Sequence, residues 1–248
     1  MCLLVMAYQV DPHYPLIVAA NRDEFHERPT APLHQWQDAP HIIAGRDLQG
    51  GGTWMGVTTQ GIFAALTNHR DMRRAMVPGR PSRGSLVRKA LEGQDLGDTS
   101  MYEGCNLIHG HWRELWYHDN VRPTSERLPP GIHGLSNAFL NTPWPKVRSA
   151  VRRIRQLVEH DERSPGPYFD LLALEELAPD HELPSTGLEQ EWERKLSAIR
   201  IKADGYGTRS STVLMVERDG TARIWERTFT DEGKVNEMKE IIHFENGI

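Results

Sequence analysis

The sequence predicts an α+β fold in which antiparallel sheets pack together with helices outside them. Three observations carry this. Short apolar stretches broken by turn residues fill most of the first two thirds of the 248 residues, helical periodicity follows, and strand patterns return near the end.

"CLLVMAYQ" (2–9) and "YPLIVAAN" (14–21) flank "VDPH", whose Asp11-Pro12 is a turn signal, so the pair reads as a hairpin. "HIIAGRD", "TWMGVT", "GIFAALTN", "CNLIHG" and "ELWYH" follow as further strands, close enough along the chain for antiparallel pairing. Several are apolar at consecutive positions rather than alternate ones, which predicts sheet covered on both faces. Helical spacing occurs over 82–93, over 167–178 and most clearly over 143–161, where Val147, Val151, Ile154 and Val158 recur and Arg148, Arg152, Arg153 and Arg155 form a solvated face. "PDHELPSTGLEQEWERKL" reads as a looser segment, and "SSTVLMVER" and "TARIWERTF" form a hairpin around Asp219-Gly220. No repeat or low-complexity linker divides the chain, so one domain over 1–248 is expected.

The chain holds 29 basic and 34 acidic residues for a formal charge of -5, which argues against nucleic acid as the partner. No apolar stretch is long enough for a membrane span, and the first residues lack a basic segment before their short apolar run, so a cytoplasmic location is expected. With two cysteines, Cys2 and Cys105, neither a disulfide framework nor a cysteine zinc site is expected. The 12 histidines show no metal-site spacing, and His109 and His111 form only an HxH within a strand. "NHRDMRRAMVPGRPSR" (68–83) sets Arg70, Arg73, Arg74, Arg80 and Arg83 against Asp71; it reads as a solvated loop, with an anion-binding patch as the alternative. "QGGGTWMG" lacks the Lys-Ser/Thr of a phosphate loop and precedes a strand, so its glycines read as a tight bend.

Cys2 directly follows the initiator methionine. Once that methionine is trimmed, a thiol and a free α-amine share one residue, and with ordinary pKa values of about 8.5 and 8 either can take the other's proton. The alternative is a small apolar residue opening a strand. Downstream, "NRDEF" brings Arg22 and Asp23 to the end of an apolar strand, where they either order a nearby thiolate and amine or cap the strand. Asn68 in "AALTNHR", Asn137 in "HGLSNAFLN" and Arg209 in "GYGTRSSTVLMV" stand beside small residues at the ends of apolar stretches. Singly each Asn reads as a turn former, but with a thiol they compose an amide-cleaving set, because Asn side chains donate hydrogen bonds to a developing oxyanion.

"CLLV", "NRDEF", "GGTWMGV", "TNHR", "GLSN" with "PWPKV", and "YGTRSSTVLMV", in this order from residue 2 to about 216, resemble the NRDE family, also called the transport and Golgi organization 2 family. That family is similar, more remotely, to N-terminal nucleophile hydrolases of the choloylglycine hydrolase and penicillin V acylase type. The resemblance implies a four-layer αββα sandwich and a cofactor-free site. In it Cys2 is the nucleophile, Asp23 or Glu24 the acid, Asn68 and Asn137 the oxyanion donors, and Arg209 the basic residue. Arg22 is offered as the hydrolases' arginine, with Asn21 in the place a strict match assigns to it. Asn21, Glu24, Trp54 and Arg70 complete the set on the substrate side. The implied ligand is a small amide or acyl compound; the family's other association is carriage of haem or acyl-coenzyme A without turnover.

Overall fold

The computed structural model describes residues 3–75, 77–230 and 235–245. It opens with the expected hairpin of β1 (Leu3–Tyr8) and β2 (Leu16–Phe25). Asp11 shapes their turn, its carboxylate accepting the N–H groups of His13 and Tyr14 at 2.7 Å each. β3 (Thr30–Gln35), β4 (Ile42–Asp47), β5 (Met55–Thr58) and β6 (Ile62–Asn68) follow, then α1 (Gly84–Leu91), a meander of β7 (Cys105–His111), β8 (Glu114–Asp119) and β9 (Thr124–Arg127), and β10 (Gly131–Leu135). α2 (Pro145–Glu159), α3 (Gly166–Leu172) and α4 (Gln190–Lys195) precede β11 (Lys202–Ala203), β12 (Tyr206–Val216), β13 (Thr221–Phe229) and β14 (Val235–His243). β3, β9, β10, β11 and β14 lie outside the strands read from the sequence, α4 falls in the segment read as loose, and α3 stops six residues short of the expected end.

The strands form two antiparallel sheets. Sheet A runs β10-β1-β2-β12-β13-β14 with β11 paired to β12, and sheet B runs β3 through β9 in chain order. Strand alternation then sorts the apolar residues into layers. Leu4, Met6, Leu16, Val18 and Leu214 of sheet A meet Ile43, Met55, Val57, Phe63 and Ile108 of sheet B between the sheets. Leu3, Val5, Ile17, Val213 and Met215 turn the other way, beneath Val147, Ala150, Ile154, Phe169 and Leu172 of α2 and α3. On the far side, Ala64, Leu66 and Leu107 lie beneath Leu86, Val87 and Leu91 of α1. The result is an αββα sandwich, and the covering of both faces of each sheet is why its strands are apolar at consecutive positions.

α1 and α2 are each fitted to their sheet by a specific device. Pro145 occupies the first turn of α2, where no N–H is needed, and Val147, Ala150 and Ile154 set its buried stripe. β10 passes so closely under α2 that a Cβ at Gly134 would come within 2.6 Å of Val147 and 2.7 Å of Val151. The glycines of "QGGGTWMG" form the expected tight bend: Gly51 has φ +71°, Gly51 N donates to Asp47 O and Asp47 N to Gly52 O. The start of α1 rests on that bend, where a Cβ at Gly52 would meet Gly84 backbone atoms at 2.4 Å.

Ile154 of α2 is fully buried against sheet A. Ile154→Ala is expected to lower unfolding stability by about 2–5 kcal/mol, read as a reduced midpoint in urea with an unchanged slope.

Candidate functional site

Cys2 lies outside the described residues. The strand that follows it starts at Leu3, which pairs with Asn21 on β2. β2 continues through the whole of "NRDEF", so its alternation splits the motif between two faces.

Asn21 and Asp23 turn toward the helical layer. The Asn21 amide donates to Leu172 O and Ile199 O, both at 2.9 Å, and accepts from Ser211 Oγ at 2.6 Å, so it ties β2 to β12 and to the end of α3. Asp23 accepts a 2.6 Å bond from Thr208 Oγ1, while Thr208 Oγ1 itself accepts from Ile201 N. Arg22 and Glu24 turn instead toward the space between the sheets. Arg22 is 4% exposed, and its guanidinium carbon sits 4.3 Å above the Trp54 ring. Trp54 in turn lies over Gly45, where any Cβ would strike the indole at 2.4 Å. Burial pulls the Arg22 pKa down, and neighbouring Glu24 and Asp47 oppose that pull. Glu24 accepts from Phe25 N and faces Arg28, which holds Asp47 through two bonds of 3.1 and 2.7 Å.

Three adjoining cavities open around these groups. One of about 350 Å³ is lined by Arg22, Glu24, Trp54, Asn68 and Arg83; one of about 240 Å³ by Asn68, Arg70, Arg83 and Asn137; one of about 610 Å³ by Arg22, Trp54, Arg209, Glu226, Phe229 and Met238. Arg22 and Trp54 belong to the first and third, and Asn68 to the first and second. Of the residues proposed from the sequence, Arg22, Glu24, Trp54, Asn68, Arg70, Asn137 and Arg209 therefore line these adjoining cavities, whereas Asn21 and Asp23 line none of the three.

Asn68 closes β6 of sheet B, and Asn137 follows β10 of sheet A. They meet because Asn137 Nδ2 donates to Asn68 O at 3.0 Å and Arg70 N donates to Asn137 O at 2.7 Å. Arg70 also bonds Glu193 of α4 at 2.8 Å and covers the Trp144 ring, tying the arginine segment to the helical side. Arg73 and Arg74 are solvated, as expected of a loop, while Arg80 and Arg83 donate to Tyr102 O and Gly104 O. Arg209 stands at a register shift between Thr208 and Ser210. Its Nη1 donates to Phe25 O and His26 O at 2.9 and 2.7 Å, which clamps the β2–β3 connection.

Among the residues of the third cavity that the sequence reading does not single out, Glu226 is the buried carboxylate. Glu226 is 1% exposed on β13, accepts Leu33 N of sheet B at 2.7 Å and Thr212 Oγ1 at 3.3 Å, and is pushed up to about 7 by burial. Its signal was there: in "TARIWERTF" it shares a strand face with Ala222 and Ile224, both core residues. Among the described residues, no group of three or more His, Cys, Asp or Glu is placed to hold a metal ion, and no helix is long and apolar enough to cross a membrane.

The model of the Transport and Golgi organisation 2 family matches residues 1–231. The chain belongs to that family. A human Transport and Golgi organization protein 2 homolog is 32% identical, covering 99% of this chain and 96% of its own length. The mouse homolog is 30% identical over 94% of each chain, and the Drosophila melanogaster protein 27% identical over the full length of both. Among solved structures, the Caenorhabditis elegans ortholog of N-acylethanolamine-hydrolyzing acid amidase superimposes with a TM-score of 0.52 at 10% identity, covering 86% of this chain and 92% of that one. The family member described here thus shares its fold with that amidase ortholog.

Glu226 gives the fold a pH signature. Its folded-state pKa lies above the ordinary glutamate value, so its contribution to stability is fully present below about pH 4.3 and is lost as pH rises through about 7. Glu226→Gln keeps a carbonyl acceptor for Leu33 N and removes that loss. The variant is expected to gain on the order of 1 kcal/mol over the wild type at pH 8 and little at pH 5. Parallel melting-temperature profiles for the two proteins would contradict the assignment.

Proposed function

We propose that the chain is a cofactor-free amidohydrolase or acyltransferase of the N-terminal-cysteine type, acting on a small non-peptide amide. The observation that carries this reading is the meeting of Asn68 and Asn137 beside Arg22, at the end of sheet A where Leu3 pairs with Asn21 and Cys2 immediately precedes Leu3. The shared hydrolase sandwich supports it.

In this mechanism, removal of Met1 frees the α-amine of Cys2, which takes the thiol proton. The sulfur attacks the amide carbonyl, and Asn68 and Asn137 donate to the oxyanion. The C–N bond breaks as the leaving amine takes a proton from the α-ammonium. Water then attacks the thioester, its proton passes to the α-amine and then to the sulfur, and the acid leaves; an acyltransferase uses another nucleophile in place of water. Arg22, held against Trp54, supplies positive potential at the cavity wall, while Asp23 and Arg209 fix the backbone around it.

A carrier of haem or acyl-coenzyme A is the second reading. Its observation is the cavity of about 350 Å³, whose wall includes Arg22, Arg28, Arg80 and Arg83, cations suited to propionates or phosphates. Binding of either ligand that survives Cys2→Ala, without turnover, would favour it.

The deciding measurement is intact mass before and after treatment with a β-lactone. The expected result is a chain lighter by one methionine that gains a single acyl adduct, with the adduct absent in Cys2→Ala. Cys105 does not compete, because it is 1% exposed and burial pushes its thiol up to about 12. A retained methionine with no selective adduct at Cys2 overturns the amidohydrolase reading.

A further inference from the structure

The two candidate oxyanion donors belong to different sheets, so their spacing depends on how firmly the sheets are coupled at this end. A buried polar cluster makes that coupling. Thr67, the residue before Asn68, and its partner Asn106 on β7 are fully buried, as is Tyr117 on β8. Asn106 Nδ2 donates to Thr67 Oγ1 at 3.1 Å and to Ala138 O at 2.7 Å. Tyr117 donates to Asn106 Oδ1 at 2.7 Å and accepts Leu140 N at 3.2 Å. Sheet B therefore holds two backbone groups, Ala138 O and Leu140 N, of the loop that leaves sheet A and begins with Ser136 and Asn137. Burial pushes the Tyr117 hydroxyl up to about 12, so it stays neutral and serves as both donor and acceptor.

We propose that Thr67, Asn106 and Tyr117 are positioning residues for the acyl-transfer site, fixing Asn137 of one sheet against Asn68 of the other so that both side chains face one oxyanion. The proposal rests on the amidohydrolase reading above. Ala138 O and Leu140 N need partners wherever their loop runs, and this cluster supplies them from β7, which pairs with the strand that carries Asn68, and from β8. These bonds of Asn106 and Tyr117 run to Thr67, to one another and to the backbone just after Asn137.

Two reagents separate positioning from general damage. A β-lactone acylates Cys2 through a tetrahedral oxyanion: sulfur bonds to the carbonyl carbon, the ring C–O bond breaks, and the alkoxide takes the proton of the α-ammonium. Iodoacetamide alkylates the same sulfur by displacing iodide at carbon, with no oxyanion. Both rates are read by intact mass for the full chain, its Tyr117→Phe and Thr67→Val variants, and Tyr168→Phe, which loses a buried hydroxyl bonded to Glu162 O beside α3. Tyr117→Phe is expected to slow lactone acylation on the order of tenfold while leaving alkylation within about twofold, and Tyr168→Phe to change neither. Thr67→Val repeats the test if Tyr117→Phe does not fold. An equal fall in both rates, or no fall in either, overturns the positioning role. Alkylation of wild-type Cys2 without any lactone adduct overturns the acyl-transfer reading itself, and the proposal with it.

Discussion

Everything in this molecule depends on two sheets lying face to face across a largely apolar layer. The middle of that layer is aliphatic and aromatic, and burying it supplies the main drive for association. A purely apolar layer, however, leaves the sheets free to slide. Three buried polar links remove that freedom. Tyr8 of sheet A donates to Arg113 O and accepts Leu115 N of sheet B, Glu226 of sheet A accepts Leu33 N of sheet B, and the Asn106–Tyr117 pair grips the loop after β10. Each link is worth on the order of 1 kcal/mol in net stability, but leaving one of its buried partners unpaired costs more. They therefore act chiefly to specify one relative placement of the sheets.

The candidate site lies where that placement matters. Asn68 and Asn137 come from opposite sheets, and Arg22 reaches from sheet A onto Trp54 just before β5. No single strand or loop holds the whole constellation. Arg22 keeps its charge in a buried position because a ring face, Glu24 and Asp47 stand in for the water it has lost. The arginine segment is anchored more than its composition suggests, through Arg70 to Glu193 and through Arg80 and Arg83 to the backbone before β7.

Much of the architecture was legible because covered sheets leave a strong mark. Consecutive apolar residues in "LLVMAY" and "LIVAAN" announce strands buried on both faces, and the spacing of Val147 and Ile154 announces α2. The missed strands lack that mark. β3 carries Pro32 on a sheet edge, β10 is five residues with two glycines, and most of β14 is exposed, so its alternation carries little hydrophobic contrast. Which faces the members of "NRDEF" occupy was not legible for a different reason. It depends on β2 running on to Phe25 without a break, which is settled by pairing with Glu24, Asp23 and Arg22 from the distant β12. Glu226 and Asn106 escaped because a polar residue on the core-facing side of a strand declares burial but not its partner, and their partners lie in other elements.

Cys105 has a use that follows from its position alone. It opens β7 directly opposite Asn68, packed beneath α1 with its thiol almost wholly enclosed. A reagent reaches that sulfur only when the outer helical layer over sheet B lifts away, so its modification rate in native buffer measures the free energy of a local opening rather than intrinsic reactivity. The molecule thus carries a clock for the breathing of one layer, set at the same strand junction from which Asn68 projects.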